Sequence, residues 1–303
     1  MKKMFMAVIA LMITINASAQ FYIYFSDGSV AKVDSISMIA PEKPNKPDPS
    51  SGIGAFSVSA TKRVTFSPGN LQYTQSTNTW SFASAQYEFL GTDNVTGGSV
   101  ESDPKYGDKK HGTALADKID LFGWSTSATY FGISSSTDDN DYSGSFVDWG
   151  TNQINDYIPN TWRTLTYDEW NYLRNGRPNA SSLCGVAQVN DVKGLIFLPD
   201  NWICPDGLTF RPEFHSSSGV LYQSYTIEQW SKLEAVGAVF LPYAGNRNGF
   251  YVSYVQCSGD FWSASDRTSQ HAYSLYFYYG AVGMVAGYDR HFGASVRLVK
   301  DLQ

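Results

Sequence analysis

Gly259-Asp260-Phe261-Trp262-Ser263-Ala264-Ser265, then Ser274-Leu275-Tyr276-Phe277-Tyr278, then Arg290-His291-Phe292-Gly293-Ala294-Ser295-Val296-Arg297-Leu298-Val299 is the part of the chain on which the fold turns. In the middle segment apolar and hydroxyl-bearing residues alternate, and a strand sends successive side chains to opposite faces. Leu275 and Phe277 are the better core pair, which leaves Ser274, Tyr276 and Tyr278 on the outer face. If that face is covered, its tyrosines are core. If it is open, it is an aromatic patch that calls for a ligand.

The surrounding composition fits a binding surface. From Ala235 to Val299, 65 residues, there is no Lys and no Glu, although the chain holds 13 Lys and 7 Glu. Tyr, Ser, Gly, Ala, Asp and Arg take their place. Tyr gives rigid amphipathic contact area at low entropy cost, and the small residues adapt around it. The same composition is also ordinary for strands.

Upstream, two helices announce themselves. Thr166-Tyr167-Asp168-Glu169-Trp170 and Thr226-Ile227-Glu228-Gln229-Trp230 each put Thr at the N-cap and Glu or Gln three residues on, the reciprocal capping box. Trp170 with Leu173, and Trp230 with Leu233, mark the buried stripes. Each helix is followed by a Phe-Leu-Pro strand, ending at Pro199 and Pro242. The helix-to-strand gaps differ, so shared local physics explains the likeness better than a tandem repeat. Short strands are also expected at Phe56–Ser59, Arg63–Phe66, Tyr87–Leu90 and Ile119–Trp124. The Gly-, Ser- and Asp-rich stretches 91–112 and 125–150 read as long surface loops.

Toward the N-terminus, Lys2 and Lys3 precede an apolar run from Met4 to Ile15, and Ala17-Ser18-Ala19 follows. This is the pattern of a secretory signal peptide over 1–19, too short to span a bilayer. Phe21–Phe25, Asp27-Gly28 and Val30 onward predict a β-hairpin element within 20–40. Four prolines make 41–52 a stiff, Pro-rich linker, and the main domain occupies 53–303. The expected setting is export, to the cell surface or beyond, with the periplasm as the alternative.

The chain of 303 residues is 43% hydrophobic, 15% aromatic and 17% charged, which excludes sustained disorder. Its net charge of −6 argues against a nucleic-acid partner, and no second apolar stretch reaches membrane-spanning length. Of three cysteines, Cys184 with Cys204 is the favoured disulfide because it closes a short loop; Cys257 is left over, and three buried thiols are the alternative.

The quoted blocks, together with Trp162-Arg163-Thr164-Leu165-Thr166 and the two Phe-Leu-Pro strands, resemble exported bacterial proteins with a C-type-lectin-like fold. That group is related to formylglycine-generating sulfatase-modifying factors and includes the variable proteins of diversity-generating retroelements. The resemblance implies an α+β domain with two helices around a small antiparallel sheet and long loops. It places Trp262, Leu275, Phe277, Gly293 and Val296 at scaffold positions. Between them fall nine expected ligand-binding residues, Asp266, Arg267, His271, Tyr276, Tyr278, Tyr279, Tyr288, Asp289 and His291. Adenine-directed mutagenesis of Asn codons yields Tyr, Ser, Asp, His, Ala or Gly but never Lys or Glu, in keeping with the missing residues. One departure is that no Asn occurs from Gly249 to Gln303.

Catalytic signatures are sparse. The sulfatase-modifying relatives need a close pair of late cysteines, and Cys257 stands alone. The Glu-Pro-Asn, Gln-Pro-Asp and Trp-Asn-Asp motifs of calcium-dependent lectins do not occur. Asp138-Asp139-Asn140-Asp141 offers oxygen ligands but reads as a solvated acidic loop, so neither a metal nor a cofactor is expected. His271 and His291 are not spaced for a readable triad, and an acid/base pair lacks positive support. The expectation is a non-catalytic, adhesin-like protein that binds a protein or glycan, with Arg267 or Arg290 as hot spots beside the tyrosines. The alternatives are a divergent enzyme on the same fold, or a surface-fibre subunit whose hairpin pairs edge to edge with a neighbour.

Overall fold

The computed structural model describes residues 21–24, 30–33, 54–212, 223–278 and 281–302. The chain divides into two compact units, 1–43 and 44–303. In the first, Phe21–Tyr24 pairs antiparallel with Val30–Val33, with Phe21 opposite Val33 and Tyr24 opposite Val30. The expected leader at 1–19 and linker at 41–52 lie outside the described residues.

The second unit is a strand-rich α+β body with two α-helices among its described residues, α1 (Tyr167–Asn171) and α2 (Ile227–Ala235). Both capping boxes form: Thr166 accepts from the Glu169 backbone and Thr226 from the Gln229 backbone, and each N3 side chain reciprocates. Capping satisfies backbone donors that a helix start would otherwise leave open. The expected stripe residues Trp170, Leu173, Trp230 and Leu233 are all buried.

Between the helices lies a four-stranded sheet in the order Gln223–Tyr225, Cys184–Val189, Val192–Phe197, Val239–Pro242. The two Phe-Leu-Pro segments are neighbours in it, Phe197 opposite Val239 and Leu195 opposite Leu241. One face buries Ile196 and Phe240 with Trp230 and Leu233 of α2. The other joins Leu195, Phe197 and Leu241 to Trp170, Phe261, Leu275 and Phe277 in the largest core. Each fully buried Leu or Phe there contributes roughly 1.5–3 kcal/mol.

The C-terminal sheet consists of Ser258–Asp266, His271–Tyr278 and Ala281–Asp289, with His271–Tyr278 in the centre. As the alternation requires, Leu275 and Phe277 face the core. The Trp-Ser-Ala-Ser block is a β-bulge, where the register breaks between Trp262 and Asp266. Its polar groups are spent on structure: Ser263 Oγ donates to the Tyr273 carbonyl at 2.8 Å, and Ser265 Oγ accepts from the Tyr167 amide at the start of α1 at 3.0 Å. The terminal block is equally structural. Leu298 and Val299 carbonyls accept from Ser67 and Arg163, and Val299 pairs with Phe66.

Three expectations are corrected. Tyr87–Leu90 is not a strand, because Glu88 folds back to accept from the Ser84 and Ala85 amides and makes a turn. The 91–112 stretch is not a bare loop: Ser99–Asp103 and Gly107–His111 form a hairpin, closed where Asp103 accepts from the Lys105 and Tyr106 amides and Gly107 takes φ +74°. No disulfide links the cysteines. Cys184 lies in the largest core, its thiol pushed up to about 12 by burial, whereas Cys204 Sγ donates to the Leu208 carbonyl at 3.2 Å on its own loop.

Candidate functional site

Along the C-terminal sheet, register decides which side chains meet. Asp260 lies opposite Tyr276, which lies opposite Gly283. Trp262 lies opposite Ser274, and Tyr288 opposite Ala272. All of these share the face turned away from Leu275 and Phe277. The Tyr276 and Tyr278 rings, both half-buried, stand parallel on it, with centroids 6.2 Å apart and planes inclined by 13°. Among the described residues, a Cβ built at Gly283 meets no heavy atom within 4 Å, which leaves room beside Tyr276.

Two more tyrosines from outside the sheet extend this surface. Tyr254, which is exposed, and Tyr106 meet edge to face at 5.6 Å, and the Lys105 ammonium sits 4.7 Å over the Tyr106 ring. Burial, the Asp260 carboxyl, Tyr278 and Tyr254 together push the Tyr276 phenol up to about 12. Tyr276 therefore stays neutral near pH 7 and keeps both a donor and an acceptor.

Beside the tyrosines lies a cluster of buried polar groups. Asp260 is 1% exposed, and among the described residues neither of its oxygens completes a hydrogen bond. Burial pushes its carboxyl up to about 7, against a downward pull from the nearby Tyr288 hydroxyl and Asn246 amide. Among the described residues the Ser274 hydroxyl is likewise buried without a hydrogen-bond partner, and the Tyr288 hydroxyl stands near the Asp260 carboxyl without completing a bond to it. Burial holds the Tyr288 phenol well above its ordinary value, with the Asp260 charge adding to the effect. Buried polar groups left unpaired are costly, and each calls for an explanation such as a bound water, an ion or a functional role.

The other end of the sheet gathers charge. His271 Nε2 lies 3.1 Å from Asp289 Oδ1, and His271 Nδ1 is 2.9 Å from Thr268 Oγ1. His291 Nδ1 lies 2.8 Å from Asp139 Oδ1. Asp139, Asp289 and His291 each bring a donor atom within 4.8 Å of the others and could hold a metal ion. Asp138 and Asp141 do not join them: Asp138 accepts from Asn140, and Asp141 from Ser136.

The nine expected residues thus separate into two groups. Tyr276 and Tyr278 occupy one end with Asp260 beside them. Asp266, Arg267, His271, Asp289 and His291 occupy the other, and the Tyr288 ring lies between, against Trp262 at 5.2 Å. Asp266 and Arg267 are exposed, whereas His291 is buried. Tyr279 lies outside the described residues. Arg290 is corrected as a hot spot: it is buried, donates to the Tyr142, Gly144 and Thr268 carbonyls, and lies 4.2 Å over the Trp124 ring. Sequence reasoning missed Asp260, whose signal was a carboxylate set between Gly259 and the apolar pair Phe261-Trp262 at the buried start of the Ser258–Asp266 strand.

Among the described residues, no helix is long and apolar enough to cross a membrane. Comparison of the chain with protein-family models, curated proteins and solved structures finds no match in any of the three.

Proposed function

We propose that this is an exported recognition protein, adhesin-like and non-catalytic, which docks a protein or glycan on the tyrosine surface of its C-terminal sheet. The observation that carries this reading is the parallel Tyr276–Tyr278 pair bordering the room left at Gly283 among the described residues. Aromatic rings fixed on a strand lose little entropy on binding, because sheet hydrogen bonds have already ordered their backbone. Their hydroxyls supply directional contacts, and the neutral phenol of Tyr276 can donate or accept.

Export is supported by the Lys2-Lys3, apolar and Ala17-Ser18-Ala19 pattern of the leader. A C-type-lectin-like fold of the retroelement-diversified kind is supported by the scaffold positions, since Trp262, Leu275, Phe277 and Val296 are all buried. Gly293 suits the same role, because a Cβ there would lie 2.9 Å from the Arg247 Cβ and 3.0 Å from the Leu121 carbonyl. A near-copy of the DNA for Gly259–Val299, differing at adenines and adjoining a reverse transcriptase gene, would support diversification.

The test is the Tyr276→Ala/Tyr278→Ala double variant, compared with the native protein on glycan arrays and on intact cells. Loss of native-protein binding with little change in the thermal melt is the expected outcome. Retained binding, or collapse of the fold, overturns the reading.

A further inference from the structure

The charged end of the C-terminal sheet lies about 16 Å along the strand from Tyr276, counting His271 to Tyr276 at 3.3 Å per residue. Its three converging side chains come from two distant stretches of chain. Asp289 closes the Ala281–Asp289 strand, His291 follows two residues later, and Asp139 opens the short helical turn Asp139–Tyr142. We propose that Asp139, Asp289 and His291 bind a divalent transition-metal ion such as Zn²⁺, with water completing its coordination shell.

Two features support this beyond proximity. The first is rigidity. Asp138 caps the Asp139–Tyr142 turn by accepting from the Asn140 amide, and Tyr142 is fully buried. Arg290, between the two sheet ligands, grips the same turn by donating to the Tyr142 carbonyl at 3.2 Å. The donors are therefore held together by backbone already locked in place, which is what a prearranged metal site requires.

The second is an outer shell. His271 Nε2 sits 3.1 Å from Asp289 Oδ1, and its Nδ1 is fixed by Thr268 at 2.9 Å. A metal-binding carboxylate is commonly oriented by such a partner. One imidazole and two carboxylates make a donor set suited to Zn²⁺ or Mn²⁺, whereas Ca²⁺ takes oxygen ligands alone. The ion would tie the acidic loop to the sheet, independently of any ligand on the tyrosines.

The test uses the full chain without a histidine tag, stripped with EDTA and titrated calorimetrically with ZnCl₂. One Zn²⁺ per chain is expected, and Co²⁺ substitution should give a visible absorption band. Asp139→Asn and Asp289→Asn, isosteric changes at half-exposed positions, should each remove stoichiometric binding while circular dichroism stays native. His271→Ala should weaken binding about 10- to 100-fold, as loss of an outer-shell partner does. Absence of Zn²⁺, Mn²⁺ and Co²⁺ uptake overturns the proposal. Full affinity in both Asn variants, or binding of Ca²⁺ alone, overturns it too.

Discussion

Asp260→Asn should stabilise the protein, and by an amount that grows with pH. In the folded chain Asp260 is buried without a completed hydrogen bond among the described residues, and its carboxyl is pushed up to about 7 from 3.8. Between these values the folded state holds a proton that the unfolded state has released. Unfolding is then favoured as pH rises, and the native protein loses stability from about pH 4 to about pH 7. At 1.36 kcal/mol per pH unit the cumulative loss reaches about 4 kcal/mol. Asn has nearly the same shape, carries no charge and escapes this loss. At about 2 °C per kcal/mol for a domain of this size, the variant should melt about 8 °C above the native protein at pH 8 and close to it at pH 4. Paired melts across that range, at matched ionic strength, read the difference directly, because titration of other groups cancels within each pair. A gap that is the same at pH 4 and pH 8, or that shrinks as pH rises, would refute the assignment of Asp260 as a buried, unpaired carboxyl.

Other outcomes follow from the same packing. Leu275→Ala and Phe277→Ala, on the core side of the central strand, should each cost about 2–5 kcal/mol in urea unfolding. Removing Tyr276 and Tyr278 together should cost at most about 2 kcal/mol, since they stand half-exposed on the opposite face. Arg297 is fully buried, donates to Asn70, Gln86 and the Phe240 carbonyl, and is pulled down to about 9 by burial. Arg297→Ala strands those acceptors and should cost at least about 3 kcal/mol. Thr166→Ala and Thr226→Ala should each cost about 1 kcal/mol through loss of the caps. Without reductant, the denatured chain should release 3 thiols to a colorimetric reagent; a single reactive thiol would reinstate a disulfide.

Much of the frame was legible because its signals are local. A capping box is a four-residue event, and strand alternation needs only five residues to separate Leu275 and Phe277 from Tyr276 and Tyr278. What escaped depends on long-range placement. The Ser99–Asp103 and Gly107–His111 hairpin carries polar side chains on much of its length and lacks an apolar rhythm, so it reads as loop. Cys184 and Cys204 are close in sequence, but one thiol enters the largest core and the other stays on its loop. Asp139 reads as one of several solvated acids until the fold sets it 2.8 Å from His291, 152 positions away. Arg290 reads as a hot spot because it falls in the tyrosine-rich C-terminal stretch, yet it is buried and donates to the loop carbonyls of Tyr142 and Gly144.

The claim that the tyrosine surface is the docking site meets its most direct test at Gly283. Among the described residues no atom lies within 4 Å of a Cβ there, and its φ is not in the left-handed region, so Gly283→Trp fills the space beside Tyr276 on the face turned away from the core. On glycan arrays and intact cells, this variant should lose the binding of the native protein while keeping its melting temperature within about 2 °C, the shift of roughly 1 kcal/mol. Undiminished binding by Gly283→Trp would show that the ligand docks elsewhere.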